Sequence, residues 1–150
     1  MKIVTRYFGE VEYTQEDVLT FPKGLYGFEE ETEYLLLPFE DNGVLYCMQS
    51  TKNTQLCFVL MHPFTLAPDY APVLQPEELK LLGVERSEDL HFYVLCAMKK
   101  PPEESTVNMR CPVAVNPDTH VAVQSILEDT AWTMRHPLRE FGRTEEGKPC

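Results

Sequence analysis

Apolar and polar residues alternate along most of this chain in short stretches, broken every few residues by turn formers. Ile3, Thr5 and Tyr7 share one side of a first β-rich run, Gly9 interrupts it, and Val11 and Tyr13 resume it, which predicts an N-terminal hairpin. Residues 18–21 form another short apolar run, closed by Pro22. In FPKGLYGF, a proline with Gly24 and Gly27 predicts an irregular loop, whose Phe21, Leu25 and Phe28 are too apolar to be solvated and plug an edge of the core. EYLLLPF (33–39), VLYCMQ (44–49) and QLCFVLM (55–61) then read as three strands. The turns Asp41-Asn42-Gly43 and 52–54 join them into an antiparallel meander.

Four prolines in HPFTLAPDYAPVLQP leave no regular element over that stretch. Pro76 suits a helix start, Glu77 and Glu78 suit the positive end of its dipole, and Gly83 stops it after Leu79, Leu81 and Leu82. Residues 87–90 add one more helical turn. HFYVLCAM (91–98) is apolar almost throughout, a strand buried on both faces. Residues 106–115 and 121–127 form a hairpin in which Val113-Ala114-Val115 and Val121-Ala122-Val123 are half-buried strands. Alternation then puts Met109, Cys111, Val113 and Val115 on one face. The pattern yields eight or nine strands and one or two short helices. The expected fold is mainly β, a small antiparallel β-barrel-like single domain over 1–138, with a flexible C-terminal tail over 139–150.

Composition narrows this picture. A chain of 150 residues fits one domain and buries roughly 70% of its unfolded surface. No apolar run approaches the roughly 18 residues of a membrane span, and MKIVTRYFGEVEY lacks a signal-peptide core, so a cytoplasmic protein is expected. The net charge of −11 opposes direct nucleic-acid binding, which needs basic residues to displace counterions. The acidity is uneven: residues 1–40 hold nine acidic and three basic residues, a net of −6.

Five cysteines at 47, 57, 96, 111 and 150 include no CxxC pair. Buried free thiols in a reducing compartment are expected. His62, His91, His120 and His136 show no metal-ligand spacing, so no metal and no cofactor are expected. Cys57 and Cys111 sit in strand-like apolar runs rather than in the electropositive setting of a reactive thiol. There is no GxSxG, P-loop or GxGxxG, so no catalytic residue is assigned and an enzyme is not expected.

The segments FPKGLYGFEEE, HPFTLAPDY, VNMRCPVAVNPDTHVAVQSIL and MRHPL, in that order, resemble the flagellar assembly factor FliW family. The resemblance runs from about Lys2 to Leu138. It rests on Phe21, Pro22, Gly24, Leu25, Gly27 and Phe28; on Pro63, Phe64, Pro68, Asp69 and Tyr70; and on Asn108, Pro112, Asn116, Gln124, Leu127, His136, Pro137 and Leu138. Two departures stand out. Val121-Ala122-Val123 lies where the family carries a Gly-x-Gln arrangement, and Cys111 replaces a small residue before Pro112.

The resemblance implies a cytoplasmic, non-enzymatic, monomeric protein of flagellum biogenesis. It would act as a chaperone that binds flagellin near its C-terminal helical end. It would also antagonise the RNA-binding translational repressor CsrA, coupling flagellin level to flagellin translation, without touching nucleic acid or membrane. Two surfaces are expected to serve these partners. Glu29, Glu30, Glu31 and Glu33 would form an acidic rim that repels RNA at a bound CsrA. Phe64, Leu66, Asp69 and Tyr70 would form a groove for an amphipathic helix. The alternative, a small-molecule-binding barrel or an enzyme, needs an empty interior, whereas the large Phe58, Phe92 and Tyr93 predict a filled one.

Overall fold

The chain reverses after almost every strand. In a computed structural model that describes residues 1–39, 45–128 and 130–142, eleven short strands result. β1 (Lys2–Thr5) and β2 (Gly9–Glu12) pair as a separate hairpin. β3 (Val18–Thr20), β4 (Glu33–Pro38), β5 (Leu45–Ser50), β6 (Cys57–Met61) and β7 (His91–Ala97) follow as an antiparallel run. β8 (Thr106–Val107), β9 (Val113–Val115), β10 (Ala122–Gln124) and β11 (His136–Pro137) complete the second sheet. Three short helices are added: α1 (Pro63–Leu66), α2 (Pro76–Leu82) and α3 (Arg139–Gly142).

The main sheet runs β10-β9-β7-β6-β5-β4-β3. Its two ends meet where Thr20 and Val121 form a single parallel bridge and the Thr20 N–H donates to the His120 carbonyl at 2.9 Å. The sheet therefore curls into a barrel-like ring joined at one bridge rather than closed by a full ladder.

Period-two alternation then sorts each strand into an inside and an outside. Leu19, Phe21, Tyr34, Met48, Leu60, Tyr93, Val113, Val115 and Ala122 pack with Leu25 inside the ring and fill it. A hollow of ≈ 380 Å³ remains beside this cluster, lined by Leu19, Leu36, Tyr93 and Val115 among others. Outside, α2 covers Phe92, Ala114 and Val123 through Leu82. Tyr70, Met109 and Leu127 cover Met61, Val94 and Val107. The β1–β2 hairpin covers Val18 and Leu35 through Ile3. Strands buried on both faces read as continuous apolar runs, which is why β7 loses clean alternation.

Helix α2 follows its sequence signals. Pro76 opens it, the Gln75 N–H donates to Glu78 Oε1 at 3.0 Å, and Gly83 ends it in the left-handed region at φ 75°.

Several expectations are corrected. The run 106–115 is not one strand. Five residues, 108–112, stand opposite only Val94 and Leu95 of β7, between the pairs Cys96↔Val107 and Tyr93↔Val113. This bulge of five residues against two resets the alternation. Val113 faces into the ring while Val107 and Met109 pack outside it, so Met109 and Val113 do not share a face. Val113, Ala114 and Val115 are all buried rather than half-buried, because the ring lies on one side and α2 on the other.

Cys47 and Cys57, expected as free thiols, are joined in a disulfide. They sit on one face of adjacent strands, two residues apart in register (Cys47↔Val59, Gln49↔Cys57), with Cα atoms 6.3 Å apart. Cys96 and Cys111 are free. Pro63 and Pro68 bound a helical turn instead of excluding one. Residues 139–142 form α3, whose Phe141 ring lies 5.0 Å from the His136 ring. Residues 143–150, with Cys150, and the turn Asp41-Asn42-Gly43 lie outside the described residues.

Candidate functional site

The expected groove at Phe64, Leu66, Asp69 and Tyr70 is occupied by its own tyrosine. Tyr70 is 4% exposed, and its hydroxyl donates to the Met109 carbonyl at 2.7 Å. Its ring meets Phe64 and Trp132 edge-on at 5.9 and 5.7 Å. Burial raises its phenol pKa above the usual range, so the ring stays neutral and packed. Leu66 is half-buried against the same cluster. Phe64, at 42% exposure, and Asp69 remain at the surface. Tyr70 is buried with its one polar atom on a backbone partner, and so packs as part of the core.

The acidic cluster divides in the same way. Glu29 and Glu30 are exposed, Glu29 also accepting from the Gly27 N–H at 3.2 Å. Glu31 is half-buried and accepts from Ser50 Oγ at 2.8 Å, and Glu33 is half-buried in β4 opposite Thr20.

The sequence-flagged residues of two distant segments meet at one mouth of the ring. Gly24 and Gly27 take φ +66° and +89°, turning the chain so that Phe21 and Leu25 point into the core. Gly24 is also where the chain crosses itself: an added Cβ would stand 2.5 Å from Glu29 Cα. The Tyr26 N–H donates to Gln124 Oε1 at 3.0 Å, and Gln124 Nε2 donates to the Cys111 carbonyl at 3.3 Å. The Cys111 N–H donates to Asn108 Oδ1 at 2.9 Å, holding the bulge. The carbonyl of buried Pro112 accepts from the Ser125 N–H at 2.9 Å.

Other flagged residues act elsewhere. Asn116 Nδ2 donates to the Leu82 carbonyl at 2.7 Å, tying down the end of α2. His136 and Pro137 form β11, and His136 Nε2 lies 3.2 Å from Glu140 Oε1. Pro22 is exposed in the turn that the Gly24 N–H closes onto the Phe21 carbonyl.

Around the first group lies an apolar groove of ≈ 270 Å³. Leu25, Tyr26, Phe28, Phe58, Leu95, Asn108, Cys111, Gln124, Ile126 and Met134 line it. Phe28, expected as a core plug, is 41% exposed; its ring stands edge-on to Phe58 at 5.1 Å and forms the groove wall. Tyr26 and Met134 are 54% and 51% exposed. A second hollow of ≈ 540 Å³ continues past Leu95, Asn108 and Met134 to Ala97, Thr106, Lys99 and Arg135. The bulge at 108–112 leaves room for both, since it bends the strand off the β7 edge.

Tyr26, Ile126 and Met134 escaped sequence reasoning. They lie in irregular segments where no periodicity marks a face. Their one available signal was adjacency to motif residues.

The groove offers apolar area and capped backbone rather than reactive groups. Burial raises the Cys111 thiol pKa, against the lowering effects of the Asn108 hydrogen bond and Arg110. Burial pushes the Cys96 thiol up to about 12. Both stay protonated near neutral pH and are poor nucleophiles. Burial, then Glu78 and Cys111, raises the Tyr26 phenol pKa. Among the described residues no three histidine, cysteine or carboxylate side chains gather as metal ligands. No described helix is long and apolar enough to cross a membrane.

Comparison with known proteins bears on the family and the fold. The family model described as FliW protein matches residues 2–138. The flagellar assembly factor FliW of Shouchella clausii is 35% identical over 143 residues, covering 95% of this chain and 98% of that protein. Its counterpart from Syntrophomonas wolfei is 34% identical over 146 residues, covering 97% and 94%. A crystal structure of the flagellar assembly factor FliW superposes with a TM-score of 0.85 at 31% identity, covering 92% of this chain and 96% of that one.

Proposed function

The chain belongs to the FliW family, and from that premise we propose that it is a cytoplasmic, monomeric, non-enzymatic flagellar assembly factor. In this reading it holds flagellin before export and antagonises CsrA when flagellin is scarce. Export of flagellin frees the protein to relieve repression of flagellin translation. The observation that carries the reading is the exposed apolar groove at Tyr26, Phe28 and Met134, ringed by the residues on which the family resemblance rests. Contiguous exposed apolar patches mark protein interaction sites or ligand-binding grooves. An amphipathic helix buries an apolar stripe in such a cleft.

Phe28→Ala tests it against Phe64→Ala, with flagellin binding measured by calorimetry. Phe28→Ala is expected to weaken binding by about tenfold, the range of an interface hot spot. Phe64→Ala is expected to leave binding within about twofold, since its ring packs on its own loop. The reverse ranking would move the site to the 63–70 segment and overturn this assignment.

Glu29 and Glu30, the exposed members of the acidic cluster, would repel RNA at a bound CsrA. Unit charges act over roughly 8 Å at physiological salt, so only exposed carboxylates at the edge of the complex contribute. Reversing both to lysine is expected to reduce antagonism of CsrA in an RNA-binding assay. Undiminished antagonism would remove the rim from the mechanism.

A further inference from the structure

We infer that the groove receives an amphipathic helix whose carboxylate-bearing C-terminal end rests on Lys99 and Arg135. This deepens the proposed function and rests on it. The two hollows share Leu95, Asn108 and Met134, so they form one path. Along that path the character changes in order. The hollow at Tyr26 and Phe28 and the shared middle are lined by no charged side chain, whereas Lys99 and Arg135 line the other end.

Cations are scarce here, 13 against 24 carboxylates, yet both charged residues lining the far hollow are cations. Lys99 and Arg135 are exposed, and neither is ion-paired among the described residues. They are available to a partner at no cost of breaking an internal pair.

The occupant follows from that gradient. A helix carries partial positive charge at its N-terminus and partial negative charge at its C-terminus. Laid with its apolar stripe on Phe28, Phe58 and Met134, it sets its negative end against Lys99 and Arg135 in one direction only. Carboxylates in its last turn, or a free chain end, add to the attraction at Lys99 and Arg135. Nucleic acid fits poorly, because two cations do not neutralise a run of phosphates.

The test uses the full chain with flagellin as the probe, titrated at low and high salt. Wild type is expected to bind more weakly as salt rises. The double variant Lys99→Glu with Arg135→Glu is expected to bind at least about tenfold more weakly and with a flattened salt dependence. Phe28→Ala should lose affinity yet keep the wild-type salt dependence. Both cations are exposed, so the fold should survive; thermal unfolding checks it, and Lys99→Gln with Arg135→Gln serves if the reversal destabilises.

Unchanged affinity and salt dependence in the charge variants would overturn the orientation and leave the proposed function standing. Failure of the wild type to bind flagellin would overturn both. A wild-type dimer in sedimentation that Phe28→Ala dissolves would seat a second copy in the groove and likewise overturn the inference.

Discussion

Two irregular segments of this protein carry similar raw material and use it in opposite ways. Residues 21–28, and 63–70 with its single helical turn α1, both carry aromatic residues framed by proline or glycine. In 63–70 the last aromatic, Tyr70, goes inside, because its hydroxyl reaches the Met109 carbonyl at 2.7 Å. In 21–28 the first aromatic, Phe21, goes inside, and the last, Phe28, stays out. Two left-handed glycines reverse the chain between them. A loop's apolar content therefore does not say which residues face a partner. Backbone reversal and the reach of a single polar atom decide it.

The largest break in this comparison is at Tyr70. Tyr70→Ala is expected to lower stability by about 3–5 kcal/mol, the cost of emptying a buried aromatic site. Tyr70→Phe should lower it by about 1–2 kcal/mol, since it leaves the Met109 carbonyl unpartnered in the core. Chemical denaturation measures both. A Tyr70→Ala protein of normal stability would return Tyr70 to the surface.

The glycine hinge comes next. At Gly24 the left-handed φ combines with a Cβ position 2.5 Å from the Glu29 backbone. Gly24→Ala is therefore expected to cost about 3 kcal/mol. Gly27 has the same handedness with nothing within 4 Å, so Gly27→Ala should cost only about 1–2 kcal/mol, the price of φ alone. Equal losses in urea titrations would mean that the close crossing at Glu29 is not what requires glycine.

The smallest effect is a control on the hydroxyl argument. Tyr34 packs edge-on to Phe21 at 5.4 Å, and its buried hydroxyl has no hydrogen-bond partner among the described residues. Tyr34→Phe is expected to change stability by no more than about 0.5 kcal/mol or to raise it. A loss matching that of Tyr70→Phe would show that the two hydroxyls are equally satisfied.

Much of the fold was legible along the chain. The meander from 33 to 61, the helix from Pro76 to its Gly83 stop and the doubly buried strand at 91–97 all follow from local signals. The bulge was not legible. Residues 107, 109, 111 and 113 keep the apolar spacing of one strand, and only the competing contacts of β7 show that the chain skips a step there. The disulfide was equally hidden, since it depends on the register between β5 and β6.

The candidate site divides along the same line. Glycine, proline and asparagine mark turns through their own backbone preferences, so Gly24, Gly27, Asn108 and Pro112 could be singled out from sequence alone. By itself, the sequence determined a mainly β, acidic domain, its strand-and-turn order and its family resemblance, because these rest on local propensities, net charge and ordered motifs. Only the tertiary structure decided that Tyr70 is core while Tyr26, Phe28 and Met134 are surface. It alone placed Lys99 and Arg135 at one end of their groove. Those outcomes depend on which distant strands come together and on what space their side chains leave unfilled.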